Sequence, residues 1–193
     1  GFDTNDAAEA LSTFKCVPGR FERYKSKHGA DIIIDYAHTP DALENALNAC
    51  RQICKGKLIC VFGCGGDRDK NKRHIMGAVS SRLADLTVIT ADNSRSEDTA
   101  DIIFDILKGV DKNAKYKVIE NRKEAIIYAL SSAKDGDAVL LAGKGHEDYE
   151  IDKQGAHPFS EVRIINEYNG KGNQNGNNDS TNSGKALRGK ADR

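Results

Sequence analysis

The stretch Ala30–Arg73, ADIIIDYAHTPDALENALNACRQICKGKLICVFGCGGDRDKNKR, decides the fold. It opens on a short apolar run, IIID, that suits a buried strand. Thr39 then stands where a helix N-cap belongs, with Pro40 at the first helical position and a helical sequence behind it. KLICVF is a second continuous apolar run, and it empties into a glycine cluster, Gly63, Gly65 and Gly66. Strand, capped helix and strand in 33 residues is the unit that builds parallel sheets.

The same rhythm continues toward the C-terminus. Residues 74–84 fit a helix, LTVITA a strand, and residues 99–108 a helix with Ile102, Ile103, Ile106 and Leu107 on one side. YKVIE reads as a strand, Asn121 and Glu124 as the start signature of a helix through AIIYALSSA, and AVLLAG as a strand. Ser160 caps a last helix, EVRIINEY. The expectation is an α/β fold, a Rossmann-like, mostly parallel sheet flanked by helices. N-terminal to it, residues 5–14 suit a short helix that ends before the break at Pro18 and Gly19. Residues 169–193 hold almost no apolar side chain and are expected to be a disordered tail.

Composition narrows the function. With 29 basic and 29 acidic residues the net charge is zero, so a nucleic-acid partner is not expected. No apolar run nears the ~20 residues of a membrane helix, so no membrane insertion is expected either. The start, GFDTNDAAEA, lacks the pattern of a secretory leader, and the expected compartment is the cytoplasm. Five cysteines without a C-x-x-C pair read as reduced thiols, small and mostly buried.

In a parallel sheet the loops leaving the strand C-termini gather at one edge, where ligands bind. Here those loops are DYAHTP, GCGGDRDK, ADNSRSED and GKGHEDYE. The glycine cluster fails both phosphate-binding patterns: Arg68 stands where a dinucleotide fingerprint needs glycine, and no Gly-Lys-Ser/Thr follows. Arg68 instead offers a planar fork suited to a carboxylate. Asp35 can accept from a ribose hydroxyl, and His38 can serve phosphate or proton transfer. Around Ser96, acids suit a helix start, with Ser96 the candidate cap, but Arg95 needs an anionic partner there. Gly143 and Gly145 permit close backbone approach, and Glu147 can hold an ammonium. Carboxylates and guanidinium groups in one loop cluster fit a zwitterion better than a bare phosphate.

Five segments, VPGRFE, DYAHTPDALENAL, VFGCGGDRDKNKR, ITADNSRSED and LLAGKGHEDYE, occur in one order over about residues 1–165. Together they resemble the C-terminal domain of the Mur ligases, in particular the tripeptide-synthetase branch. The resemblance implies an ATP-dependent enzyme of peptidoglycan synthesis. ATP converts the carboxylate of UDP-MurNAc-L-Ala-D-Glu to an acyl phosphate, and the amine of meso-diaminopimelate attacks it. It implies ATP and Mg as cofactors, the Mg held mainly by a central domain with its own phosphate loop and a carbamylated lysine. Residues 1–19 then correspond to the end of that domain and a linker, and residues 20–168 to the C-terminal domain.

The matched positions imply a nucleotide contact at Arg20, Asp35, Tyr36 and His38. They imply a diamino-acid pocket of Arg68, Asp92, Asn93, Ser94, Arg95, Gly143 and Glu147, and no catalytic or metal-ligating residue in this stretch. UDP-MurNAc-dipeptide is implied as a partner through the other domains. One departure bears on substrate: members that add diaminopimelate read Asp-Asn-Pro-Arg, and here Ser94 replaces the proline. L-lysine is therefore the alternative substrate, and a stand-alone amino-acid or nucleotide-binding module the non-enzymatic alternative. The related ligases of folylpolyglutamate and cyanophycin synthesis fit GCGGDRD and GKGHED poorly.

Overall fold

The computed structural model describes residues 17–170. The helix expected at 5–14, Cys16 and the polar stretch from 171 onward lie outside the described residues. In chain order the elements are β1 (Glu22–Lys25), β2 (Asp31–Asp35), α1 (Pro40–Ile53), β3 (Leu58–Phe62), α2 (Asn71–Leu83), β4 (Leu86–Ile89), α3 (Thr99–Leu107) and β5 (Tyr116–Val118). They continue with α4 (Arg122–Ser132), β6 (Ala138–Ala142), β7 (Tyr149–Asp152), β8 (Gly155–Pro158) and α5 (Glu161–Tyr168). Six strands form one sheet in the order β1-β2-β6-β3-β4-β5, and β7 and β8 form a separate hairpin. Only β1 runs antiparallel in the large sheet.

The apolar strands are buried on both faces, and the two-residue period sorts their side chains. In β3, Leu58, Cys60 and Phe62 join one core while Ile59 and Val61 join the other. The first core is closed by Leu43 and Leu47 of α1, Met76 of α2 and Ile102, Ile103 and Ile106 of α3. The second is closed by Ile126 and Leu130 of α4 and Ile164 and Ile165 of α5. Helices on opposite faces make the sheet doubly wound, as the strand–helix rhythm predicts.

Helix starts follow the sequence closely. Thr39, Asn121 and Ser160 cap α1, α4 and α5, their side chains accepting from the backbone N–H groups of Ala42, Glu124 and Arg163. Ser96 is not a cap. Asp98 caps α3 by accepting from Ala100 N, and Ser96 Oγ donates to Asp67 instead. β1 and the β7–β8 hairpin are elements that the sequence reading leaves out, and α2 begins at Asn71 rather than 74.

Cys50, Cys60 and Cys64 are buried, and desolvation pushes each thiol up to about 12. Asn169, placed by composition in the polar stretch, belongs to the fold. Lys27 N donates to its Oδ1 at 2.7 Å, and its Nδ2 donates to Lys25 O at 2.9 Å, tying the end of α5 to the β1–β2 turn.

Candidate functional site

The C-terminal ends of β2, β3, β4 and β6 open onto one groove. A cavity of about 360 Å³ there is lined by Tyr36, His38, Arg68, Asp92, Asn93, Arg95, Gly143 and Glu147, among others. Eight residues named from four separate loops thus meet in one place. Ser94 is buried and faces the neighbouring cavity, which Asp92 also lines. Arg20 stands at the rim, its guanidinium 4.7 Å from the centre of the Tyr36 ring.

The backbone around Arg20 is set by Asp35. One Asp35 oxygen accepts from Phe21 N at 2.8 Å and the other from Ala37 N at 2.9 Å. Phe21 sits at φ +47, a left-handed conformation that a non-glycine residue holds only against a cost. Asp35 therefore ties the loop before β1 to the mouth of β2. His38 Nδ1 lies 2.8 Å from Tyr36 O, which can only accept, so Nδ1 carries the proton and Nε2 is left to act. Tyr36 lies between Arg20, His38 and His146. Burial first, then the Glu147 charge, raise its hydroxyl above the ordinary range.

Gly63 and Gly66 of the glycine cluster pack against the β4 loop, and Gly65 lines the groove. A Cβ on Gly66 would collide with the carbonyl oxygen of Ser94, so this glycine lets the β3 loop lie directly on the β4 loop. Gly66 N donates to Asn93 O at 2.9 Å across the same seam. Gly145, at φ +53, lies against Gly19 and Tyr36 in the same manner.

The β4 loop is clamped from several sides. Arg95 N donates to Ile151 O of β7, and Arg95 Nη1 donates to Gly66 O at 2.9 Å and Asn93 O at 3.1 Å. Asn93 Nδ2 donates to Glu147 Oε2 at 2.9 Å, which joins the β4 loop to the β6 loop. The Tyr36 hydroxyl reaches Glu147 Oε1 more loosely, at 3.4 Å.

Three buried cations, none of them among the expected site residues, support this arrangement. Arg122, fully buried, pairs with Glu161 at 2.9 Å and donates to Ala91 O and Ala142 O, the carbonyls just before Asp92 and Gly143. Arg73 grips Glu97 with both Nη atoms, at 2.9 and 3.0 Å, and reaches Asp105 at 3.0 Å. Lys144, 0% exposed, donates to Asn93 Oδ1 and Tyr149 O and lies 3.4 Å from Asp92 Oδ1. Burial alone would raise the Asp92 carboxyl, but the charges of Arg122 and Lys144 prevail and hold it below the usual range. A lysine between two glycines reads as solvated; the fully apolar strand that delivers it was the available signal.

A crevice at the strand ends of a doubly wound sheet, with carboxylate, amide and guanidinium groups around it, lies where α/β domains of this class bind their ligands. Residues 19–145 match the family described as "Mur ligase, glutamate ligase domain", and the chain belongs to that family. It is 48% identical over 169 residues to the UDP-N-acetylmuramoyl-L-alanyl-D-glutamate–2,6-diaminopimelate ligase of Clostridium botulinum, covering 86% of this chain and 35% of that protein. With the ligase of the same description from Prochlorococcus marinus the identity is 52% over 157 residues, covering 78% of this chain and 31% of that protein.

A solved structure of a ligase of that description superposes with a TM-score of 0.75 at 35% identity, over 87% of this chain and 34% of the other. The bifunctional folylpolyglutamate synthase/dihydrofolate synthase of Yersinia pestis shares the fold alone, with a TM-score of 0.60 at 20% identity over 76% of this chain and 33% of its own. The chain spans about a third of the length of the curated relatives it matches.

Proposed function

We propose that the chain is the amino-acid-binding, ATP-closing C-terminal part of a cytoplasmic ligase that joins meso-diaminopimelate to UDP-MurNAc-L-Ala-D-Glu in peptidoglycan synthesis. The observation that carries this reading is the charge pattern of the groove. Arg68 and Arg95 share its lining with Glu147, and all three project from loops held by backbone and side-chain hydrogen bonds. Diaminopimelate presents two ammonium and two carboxylate groups. Arg95 takes one carboxylate, Arg68 the other, and Glu147 an ammonium, with the Asn93 amide beside it.

Replacement of proline by Ser94 does not argue against this substrate. Ser94 is buried, its carbonyl accepts from Glu97 N at 3.0 Å, and Ile151 O holds the next backbone N–H, so the loop is fixed without a proline ring. Arg20 over Tyr36, with His38 Nε2 outward, fits a nucleotide: a flat cationic wall for a base or ribose, and a donor or acceptor for phosphate. Asp35 serves that wall chiefly by holding the Arg20 loop. ATP, when bound, supplies the phosphoryl group that activates the dipeptide carboxylate. For Mg the fit is absent: among the described residues no group of His, Cys, Asp or Glu is placed to hold a metal ion, and no step here is assigned to one.

The test is substrate choice by the intact ligase. ADP release with meso-diaminopimelate should exceed that with L-lysine by about a hundredfold in kcat/KM, as expected when lysine leaves an arginine without its anion. Equal or reversed preference would overturn the assignment of the groove.

A further inference from the structure

Lys144 lies outside the groove lining, is fully buried, and has no role in the proposed chemistry. Yet its ammonium is surrounded by groups that do. Nζ donates to Asn93 Oδ1 at 2.9 Å and to Tyr149 O at 2.9 Å, and Asp92 Oδ1 stands at 3.4 Å, one acceptor for each N–H. Glu147 Oε2 lies at 3.8 Å, and the Phe159 ring, at 5.5 Å, packs alongside. We infer that Lys144 is the positioning residue of the groove, setting the orientation of the Asn93 amide and the spacing of the Asp92 and Glu147 carboxylates; the inference rests on the diamino-acid reading of that groove.

Asn93 Oδ1 accepts from both Lys144 Nζ and Ile151 N, the latter at 3.0 Å. Neither neighbour can accept, so the oxygen is locked toward them, and Nδ2 must face Glu147, to which it donates at 2.9 Å. Turning the amide over would set donor against donor twice and oxygen against carboxylate once. The same ammonium stands between Asp92 and Glu147, which would otherwise face each other across the seam with like charge. Lys144 thus links the β4 loop, the β6 loop and the β7 strand through side chains, without itself meeting ligand. Without it, Asn93 keeps one of two bonds on its oxygen, and the two carboxylates lose the cation that stands near both.

The experiment compares Lys144→Met, Asn93→Ala and the double variant in the intact ligase. Lys144→Met should raise KM for diaminopimelate about tenfold or more while KM for ATP stays within about twofold. Because Lys144 acts chiefly through Asn93, and on the two carboxylates only in addition, adding Lys144→Met to Asn93→Ala should cost less than about threefold further. A KM unchanged in Lys144→Met, or two fold-changes that simply multiply, would overturn the inference. If Lys144→Met melts below the assay temperature, Lys144→Gln, which keeps an N–H donor, carries the same comparison and should show the same non-additivity.

A ligand-free readout separates this inference from the reading of the groove. In the 193-residue chain, nitrogen-15 NMR follows the Asn93 side-chain amide. Its two protons should shift and exchange with solvent about tenfold faster in Lys144→Met. An unmoved pair would overturn the role of Lys144 even if diaminopimelate proves to be the substrate. A parent ligase with no saturable use of diaminopimelate would overturn the groove assignment, and the amide readout would still decide Lys144.

Discussion

Arg95 carries the specificity argument at the scale of one residue. Its backbone sits at φ +52, a conformation that L residues seldom adopt, and the Ile151 carbonyl and two loop carbonyls hold it there. Because Nη1 is committed to protein, the guanidinium is oriented by its own loop, and in the proposed function the rest of its fork takes a carboxylate. Arg95→Ala in the intact ligase should therefore lower kcat/KM for diaminopimelate by about 30-fold, roughly 2 kcal/mol, while use of L-lysine changes little. An unchanged ratio of the two constants would remove Arg95 from this role. Glu97, two residues on, is a stability element. Hydrogen bonds from Arg73, foremost, hold its carboxyl down at about 2, against 4.5 for the free group. A depressed carboxyl contributes stability that is whole above the unfolded value and vanishes as pH falls to the folded one. The Tm gap between the parent chain and Glu97→Gln should accordingly be full above about pH 4.5 and close toward pH 2; a gap that persists undiminished at pH 2 would show that Glu97 acts through packing. Arg68 and Glu147 were legible as candidates because charge two residues from a glycine after a buried strand is an uncommon pattern, and Arg95 because a cation at a helix start calls for an anionic partner. The burial of Lys144, Arg122 and Arg73 was not legible, since whether a cation is buried depends on partners far along the chain, such as Asp92, Glu161 and Glu97.

Between elements, the Arg122–Glu161 pair joins the start of α4 to the start of α5 and hangs both site loops on one guanidinium. Neither side chain is more than 1% exposed, and Glu161 Oε2 has no hydrogen-bond partner. Such a pair gains little over apolar packing but is costly to break from one side, because the remaining charge is stranded. Arg122→Met should cost about 3–5 kcal/mol in urea unfolding, and Arg122→Met with Glu161→Leu should recover much of that loss. A single substitution costing under about 1 kcal/mol, or a double variant worse than the sum, would contradict this account. The helices themselves were readable from local chemistry, since Thr39, Asn121 and Ser160 satisfy backbone donors within three residues of their own position. Ser96 shows the limit of that reasoning: two adjacent candidates, Ser96 and Asp98, compete for one cap, and the long-range bond from Ser96 to Asp67 settles the choice. The hairpin was illegible for a related reason. YEID and GAHP lack an apolar period, and what holds β7 in place is the Asn93 side chain and the Arg95 backbone.

At the scale of the whole molecule, alternation of strand and helix announced a parallel sheet, but not that β6 would lie between β2 and β3. Local sequence carries no record of strand order, which follows from which helices cover which face. That insertion brings the Gly143–Glu147 loop between the Tyr36–His38 loop and the glycine loop, and so creates the groove. In the proposed function the groove supplies binding and orientation. Phosphoryl transfer, by contrast, draws most of its rate from a phosphate-cradling loop and a metal that neutralises developing charge. The sequence holds no Gly-Lys-Ser/Thr loop, Arg68 occupies the position a dinucleotide fingerprint would give to glycine, and the described residues group no metal ligands. The 193-residue chain by itself should consequently release no ADP from ATP above background, with or without diaminopimelate. The measurement is coupled ADP release across chromatographic fractions of the purified chain. Activity that tracks the chain through successive columns and disappears in Arg20→Ala would show that this domain alone assembles a phosphoryl-transfer site, and the division of labour argued from its groove would fail.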